Sequence, residues 1–279
     1  MTKIQFIFLT TLFVYFSCIA GELSAQVSVT ATSGTLSGSY TTVKAAFDAI
    51  NAGTHKGDIT IKLSAGTTET ASAVLNASGS GSSSYNSVNL YPTVTGVVIS
   101  GDIAGPLIEL NGAVFVTIDG SVGATGLSVD MKIENTSTSP NGGTSTVCFM
   151  HDAMGNFLQD CYVLGSSMAT IGGIIYFGSG SNSGNNNNIV SNCNITNSGG
   201  NRSLNALYSN SSTGVVNLAN SVLSNKFYDF FNTGADSYGI NLVTGSSNWS
   251  IYYNSFYETT SFAPLSNHTY YCINVNNTS

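Results

Sequence analysis

Apolar residues recur along this chain in short alternating runs, and one stretch departs from that habit. In YTTVKAAFDAINAG (40–53), Val43, Ala46, Phe47 and Ile50 fall at i, i+3, i+4 and i+7, one stripe of a helix. Thr41 or Thr42 suits its N-cap, and Gly53 suits the C′ position where φ > 0 is wanted. Ahead of it QVSVTAT (26–32) alternates with period two, the mark of a strand. After it come DITIKL (58–63), SVNLYP (87–92), GVVISG (96–101), PLIELNG (106–112) and VFVTIDG (114–120). Each is rich in Val and Ile and bounded by Gly, Asn, Ser or Pro, so each predicts a short strand. No second helical stripe intervenes, which excludes a doubly wound α/β architecture.

From residue 147 the pattern becomes a repeat. One set of runs is VCFM (147–150), IIYF (174–177), ALYS (206–209), GINL (239–242) and CINV (272–275). A second set is FLQDCYV (157–163), IVSNCNI (189–195), VLSNKFY (222–228) and IYYNSFY (251–257). Each member of the second set carries an apolar residue, Asn or Asp three later, and an apolar residue three later again. A repeat of about thirty residues without a helix cannot bury an apolar face alone. Coiling lets each strand lie on its counterpart one turn later, at about 4.8 Å in a parallel sheet. The expected fold is therefore all-β: a right-handed single-stranded parallel β-helix, the hand following the general preference of parallel crossovers. Asp160, Asn192, Asn225 and Asn254 are expected to form one structural ladder at a corner, since Asn and Asp tolerate the left-handed conformation and stacked amides bond along the axis. Propeller blades need about forty residues each, and a sandwich has no fixed period, so neither fits.

SGSYTTVKAAFDAINAG followed by DITIKL resembles the N-terminal cap and first coil of pectin-lyase-like β-helix proteins. NITN (194–197), FYDFFN (227–232) and NSFYETTSFAP (254–264) extend the likeness to long secreted β-helix surface proteins of the Bacteroidetes type. The resemblance implies an extracellular scaffold of about 250 residues. It implies no particular activity, because its motifs are structural. The domain division that follows is a signal segment over 1–25, an N-terminal strand and capping helix over 26–57, and coils over 58–279 that are expected to continue past Ser279.

Composition narrows function. Only 8% of residues are charged, so Ser, Thr, Asn and Gly must solvate the surface. The net charge is −7 and the seven Lys and Arg nowhere cluster, which argues against a nucleic-acid groove. Lys3 followed by IQFIFLTTLFVYFSCIA reads as a signal peptide with small-residue exits at Ala20 and Ala25, the second leaving Gln26 as the mature N-terminus and no transmembrane anchor in the mature chain. Secretion or display at the cell surface is expected. Cys148, Cys161, Cys193 and Cys272 make no CxxC, and no His lies at metal-ligand spacing, so neither metal nor cofactor is expected. Cys161 and Cys193 occupy the same motif position in consecutive coils and read as a stacked pair of thiols.

Candidate chemistry is sparse. Asp229 and Glu258 align one coil apart and form the best acidic pair for glycoside hydrolysis, with Arg202 as the one Arg available to a lyase. His151–Asp152 reads as a surface pair, and His55 and His268 as residues without partners. Trp249, Tyr252 and Tyr253 are the candidates for sugar stacking, although the late aromatics also suit an internal stack. The reading is an exported structural, adhesive or glycan-binding surface module whose partner is a polysaccharide or cell-surface glycan. The alternative is a polysaccharide lyase or glycoside hydrolase acting on acidic polysaccharide.

Overall fold

The computed structural model describes residues 25–276, apart from 127, 262 and 264–266. Residues 1–24 of the expected signal segment and residues 277–279 lie outside them. The chain forms a β-solenoid of about seven turns, 49% strand and 5% helix. Three parallel sheets run along its length. The first face stacks strands His55–Leu63, Tyr85–Pro92, Val116–Asp119, Phe157–Gln159, Ile189–Ser191, Ser221–Leu223 and Ser250–Tyr252. The second face runs from Thr67–Glu69 to Ser255–Tyr257, and the third from Ala73–Asn76 to Tyr270–Val275. Each turn contributes one strand to each face.

The interior follows from alternation. Ile59, Ile61 and Leu63 on the first face point inward and are fully buried, as are Val88 and Leu90 above them. Each such side chain contributes roughly 1.5–3 kcal/mol on removal from water. The N-terminal end is closed by the helix Val43–Asn51, whose stripe Val43, Ala46, Phe47 and Ile50 is wholly buried. Thr42 caps it by accepting from the Ala45 N–H, and the buried Glu69 carboxylate accepts from the Val43 and Lys44 N–H groups at 3.0 Å each. A carboxylate at a helix N-terminus is favoured by the backbone dipole. Gly53 has φ 73°, and a Cβ there would meet the Ser82 carbonyl at 2.5 Å, so the position needs glycine on both counts.

Two features differ from the sequence expectation at this end. Val27–Gly34 pairs antiparallel with both Ser37–Tyr40 and His55–Leu63, a three-stranded edge that alternation alone does not reveal. His55 has partners: its buried ring sits between the Thr35 carbonyl at 2.6 Å and the Tyr40 hydroxyl at 2.7 Å.

The expected single ladder is corrected to two. Leu158, Val190, Val222 and Ile251 share one inward column. That register sets Asp160 and Asn192 level with Ser224 and Tyr253, all four at φ between 51° and 59°. Asn225 and Asn254 instead continue the next column, below Cys161 and Cys193. The motif equates the outward Phe157 and Ile189 with the inward Val222 and Ile251, a slip of one residue that moves every later position to the other face. VCFM slips likewise, since Val147 pairs with Ile175 rather than Ile174.

The buried amide ladders are more extensive than the motif suggests. Asn156 donates to Asn188 Oδ1 at 2.8 Å, and Asn188 to Asn220 Oδ1 at 3.1 Å. Asn185 donates to Asn217 at 3.0 Å, and Asn225 to Asn254 at 3.1 Å. In each link the same acceptor oxygen also takes a backbone N–H from the turn below, as Asn188 Oδ1 does from Asn156. Every amide thereby satisfies backbone groups that the corner would otherwise strand in the core.

Candidate functional site

The outer surface of the third face carries a groove of about 520 Å³. Its floor comes from strands Asn205–Ser209 and Ser237–Leu242, which present Asn205, Tyr208, Tyr238 and Asn241; Asp236 and His268 stand at its rim. The constant register makes the floor regular. Tyr176 lies over Tyr208 with ring centroids 5.9 Å apart, and Tyr238 over Tyr271 at 5.3 Å with planes 3° apart. Beside them, Asn274 donates to Asn241 Oδ1 and Asn241 to Asn205 Oδ1, both at 2.8 Å.

Burial pushes the Tyr208 and Tyr238 phenols above their usual range, with Asp236 and Tyr271 adding to the effect on Tyr238. Both hydroxyls therefore remain protonated at neutral pH. Asp236 accepts from the Thr269 N–H at 2.8 Å, and its Oδ1 lies 3.5 Å from His268 Nδ1, so His268 does have a neighbour. Tyr208, Asn205 and Asn241 are buried and Tyr238 half-buried, so the floor meets a ligand chiefly through Tyr238 and the polar rim.

Arg202, Asp229 and Glu258 do come together, on the opposite side of the 232–236 loop. Arg202 Nη1 donates to Glu258 Oε2 and, at 3.0 Å, to the Phe231 carbonyl; its Nη2 lies 3.4 Å from Asp229 Oδ1. Glu258 Oε1 also accepts from the Phe230 and Phe231 N–H groups at 3.1 Å each. Asp229 accepts from the Thr259 N–H at 2.9 Å and its hydroxyl at 2.5 Å. Burial outweighs these bonds and holds the Glu258 carboxyl above its usual range. All three side chains are about 13–15% exposed. Their polar atoms are engaged with one another and with the backbone, so the cluster ties turns five, six and seven together.

The remaining candidates are scattered. Trp249 turns toward the core: its indole packs edge-on to Phe177 at 4.9 Å and its Nε1–H donates to the Asn217 carbonyl at 3.0 Å. Tyr252 and Tyr253 are 45% and 84% exposed, but they lie at the corner between the first and second faces, away from the groove. Asp160 and Asn192 bond each other in the outward corner column, where burial and the nearby Asp119 raise the Asp160 carboxyl. Cys161 and Cys193 are buried free thiols in consecutive turns, and burial, with Cys193 close by, pushes the Cys161 thiol up.

His151 and Asp152 lie in a turn, both with φ > 0. His151 bonds Asn111 at 2.6 Å. The Asp152 carboxylate is wrapped by the N–H groups of Ser181, Asn182, Ser183 and Gly184 at 2.8–3.1 Å. Burial pushes that carboxyl up, and the four N–H bonds outweigh it, leaving it below its usual range.

The groove residues were within reach of the sequence. IIYF and ALYS place Tyr176 and Tyr208 at the same motif position, which predicts a stacked pair; only their outward direction was missing. Among the described residues no group of three His, Cys, Asp or Glu could hold a metal ion, and no helix is long and apolar enough to cross a membrane. Comparison with protein-family models, with characterised proteins and with solved structures finds no match to this chain.

Proposed function

We propose that this chain is an exported surface module that binds a glycan in the groove along its third face. The observation that carries the reading is the pairing of stacked tyrosines, Tyr176–Tyr208 and Tyr238–Tyr271, with the Asn205–Asn241–Asn274 amide row beside them. Tyrosine offers a ring face to the apolar side of a sugar and a hydroxyl to its polar edge. A row of amides supplies both donors and acceptors at the spacing of the turns.

The apolar segment behind Lys3 and the neutral Ser, Thr, Asn and Gly coat support export, and the solenoid is consistent with the pectin-lyase-like, Bacteroidetes-type surface proteins that the sequence resembles. Hydrolysis or elimination receives no such support, because Arg202, Asp229 and Glu258 hold one another.

The test is a glycan array followed by calorimetry on the chain from Gln26. Binding to at least one glycan is expected, weakened about tenfold by Tyr208→Ala or Tyr238→Ala, which is the scale of one lost stacking contact. Binding unchanged in both variants would move the site elsewhere.

A further inference from the structure

Spontaneous loss of an Asn side-chain amide begins when the next residue's backbone nitrogen attacks Asn Cγ. A following glycine, having no Cβ, leaves that nitrogen free to reach it. The chain contains Asn–Gly twice, at 111–112 and 141–142. The fold treats the two pairs oppositely. At the first, Asn111 is half-buried, its Nδ2 donates to Asn76 Oδ1 at 2.8 Å, and its Oδ1 lies 2.6 Å from His151 Nδ1. The attacking nitrogen is held as well, because the Gly112 N–H donates to the Met150 carbonyl at 2.7 Å. A Cβ at Gly112 would meet the His151 carbonyl at 2.9 Å, so the backbone there is hemmed in.

At the second pair both reacting groups are open. Asn141 and Gly142 are exposed in the loop between strands Met131–Asn135 and Ser145–Met150. Among the described residues, neither the Asn141 side-chain amide nor the Gly142 N–H has a hydrogen-bond partner. The Asn141 carbonyl accepts from the Thr144 N–H at 3.1 Å and from its hydroxyl at 2.8 Å, closing a tight turn with Gly143 at φ 85°. A Cβ built at Gly142 would meet nothing nearer than the Ile171 carbonyl oxygen at 3.9 Å, so a ring has room to close. The ladder amides Asn156, Asn188 and Asn220 are the reverse case: buried, bonded, and followed by Phe157, Ile189 and Ser221.

We propose that Asn141 is a spontaneous modification site, with water as the co-reactant. The Gly142 nitrogen attacks Asn141 Cγ, and the new C–N bond closes a succinimide. The proton of the attacking nitrogen passes by way of water to the side-chain nitrogen, which leaves as ammonia. Water then opens the ring. Cleavage at the side-chain carbonyl leaves aspartate at position 141. Cleavage at the main-chain carbonyl leaves isoaspartate, with the chain running through the former side chain. Either product adds one negative charge to the chain's −7 at neutral pH. In isoaspartate the carbonyl that serves Thr144 becomes part of a free carboxylate, so the turn is rebuilt on a longer backbone. The site is independent of the glycan groove.

The experiment incubates the folded chain at body temperature and mildly alkaline pH, beside the same chain unfolded in guanidinium. Ion exchange follows the acidic species, peptide mapping by mass spectrometry reads conversion at each Asn–Gly, and isoaspartyl methyltransferase labelling identifies isoaspartate. In the folded chain position 141 is expected to convert about tenfold faster than position 111 or more, because position 111 must first open. In the unfolded chain the two are expected to convert at similar rates. Gly142→Ala, whose methyl has open space and whose φ lies outside the left-handed region, is expected to fold and to slow conversion at 141 about tenfold. Asn141→Gln, which would have to close a larger ring, is expected to abolish the acidic species and stands in should the first variant fail to fold. No conversion at 141 while the unfolded chain converts, conversion of folded Asn111 as fast as Asn141, a rate unmoved by Gly142→Ala, or an acidic species that survives Asn141→Gln overturns this inference.

Discussion

The first three turns and the next three solve the same packing problem with different chemistry. Near the helix, the interior is aliphatic: Ile59, Ile61 and Leu63 lie against Val88 and Leu90, with Val116 and Ile118 beyond. Burial of this kind is non-directional and tolerates irregular spacing. The connections between first and second faces vary there, from three residues after Leu63 to eleven after Asp119. From turn four that connection shrinks to one or two residues, and the core acquires the Asn156–Asn188–Asn220, Asn185–Asn217 and Asn225–Asn254 rows together with the stacked Phe227–Phe256 rings. Hydrogen bonds are directional, so each amide row fixes how successive turns lie at its corner, while differences in turn length are taken up elsewhere: the rows join residues 32 apart at Asn188–Asn220 and 29 apart at Asn225–Asn254. The comparison teaches that the short corner between first and second faces belongs to the amide-supported half, which is also where the groove sits.

The sharpest way to break this contrast is Asn188→Ala. It strands the Asn156 N–H and amide and removes the donors serving Ala153 O and Asn220. Each buried group left unpaired costs about 1–3 kcal/mol, so a loss of about 3–5 kcal/mol is expected in urea unfolding. A loss under 1 kcal/mol would mean that water replaces the ladder and that register is held by apolar packing alone. Next in size, Arg202→Met leaves Asp229 and Glu258 facing each other without their cation. A loss of about 2–4 kcal/mol is expected, together with a further rise of the Glu258 carboxyl measurable by carbon-detected NMR titration.

In the aliphatic half, Ile61→Val is expected to cost only about 0.5–1.5 kcal/mol. Amide exchange in the amide-supported turns should be unchanged; acceleration there by the full loss would show that the two halves are one cooperative unit.

The smallest effect is confined to acid. The folded Asp152 carboxyl lies below its unfolded value, so its contribution is fully present above about pH 4, the ordinary carboxylate range. It is lost as pH falls through the depressed folded value. Asp152→Asn should therefore lower stability at neutral pH and converge with the parent chain in strong acid. Parallel curves at all pH values would remove the carboxylate from the account.

What the sequence discloses follows the same division. The helix over 40–53 was legible because its stripe and caps are local, and the solenoid because thirty-residue spacing survives changes of letter. Direction was harder. Phe157, Ile189, Val222 and Ile251 look equivalent as apolar residues, yet two face out and two face in, and only the pairing of whole strands separates them. The alignment of Asp229 with Glu258 was legible from period alone, whereas Arg202 entered only as the single Arg, and the way the three hold one another depends on the Phe230, Phe231 and Thr259 N–H groups, which no side-chain pattern encodes. Trp249 illustrates the converse: an amphipathic ring suits surface or core, and its neighbour Phe177, seventy-two positions earlier in the chain, decides.

The 32-residue step between Asn156, Asn188 and Asn220 also bears on how such a chain changes length. Cutting out residues 157–188 would join Asn156 directly to Ile189, in the sequence context that Asn188 now has. Asn156 would then meet Asn220 as its new neighbour, with the same two bonds. Insertion by duplication works in the same way, so mutation can resize this half in whole-turn quanta.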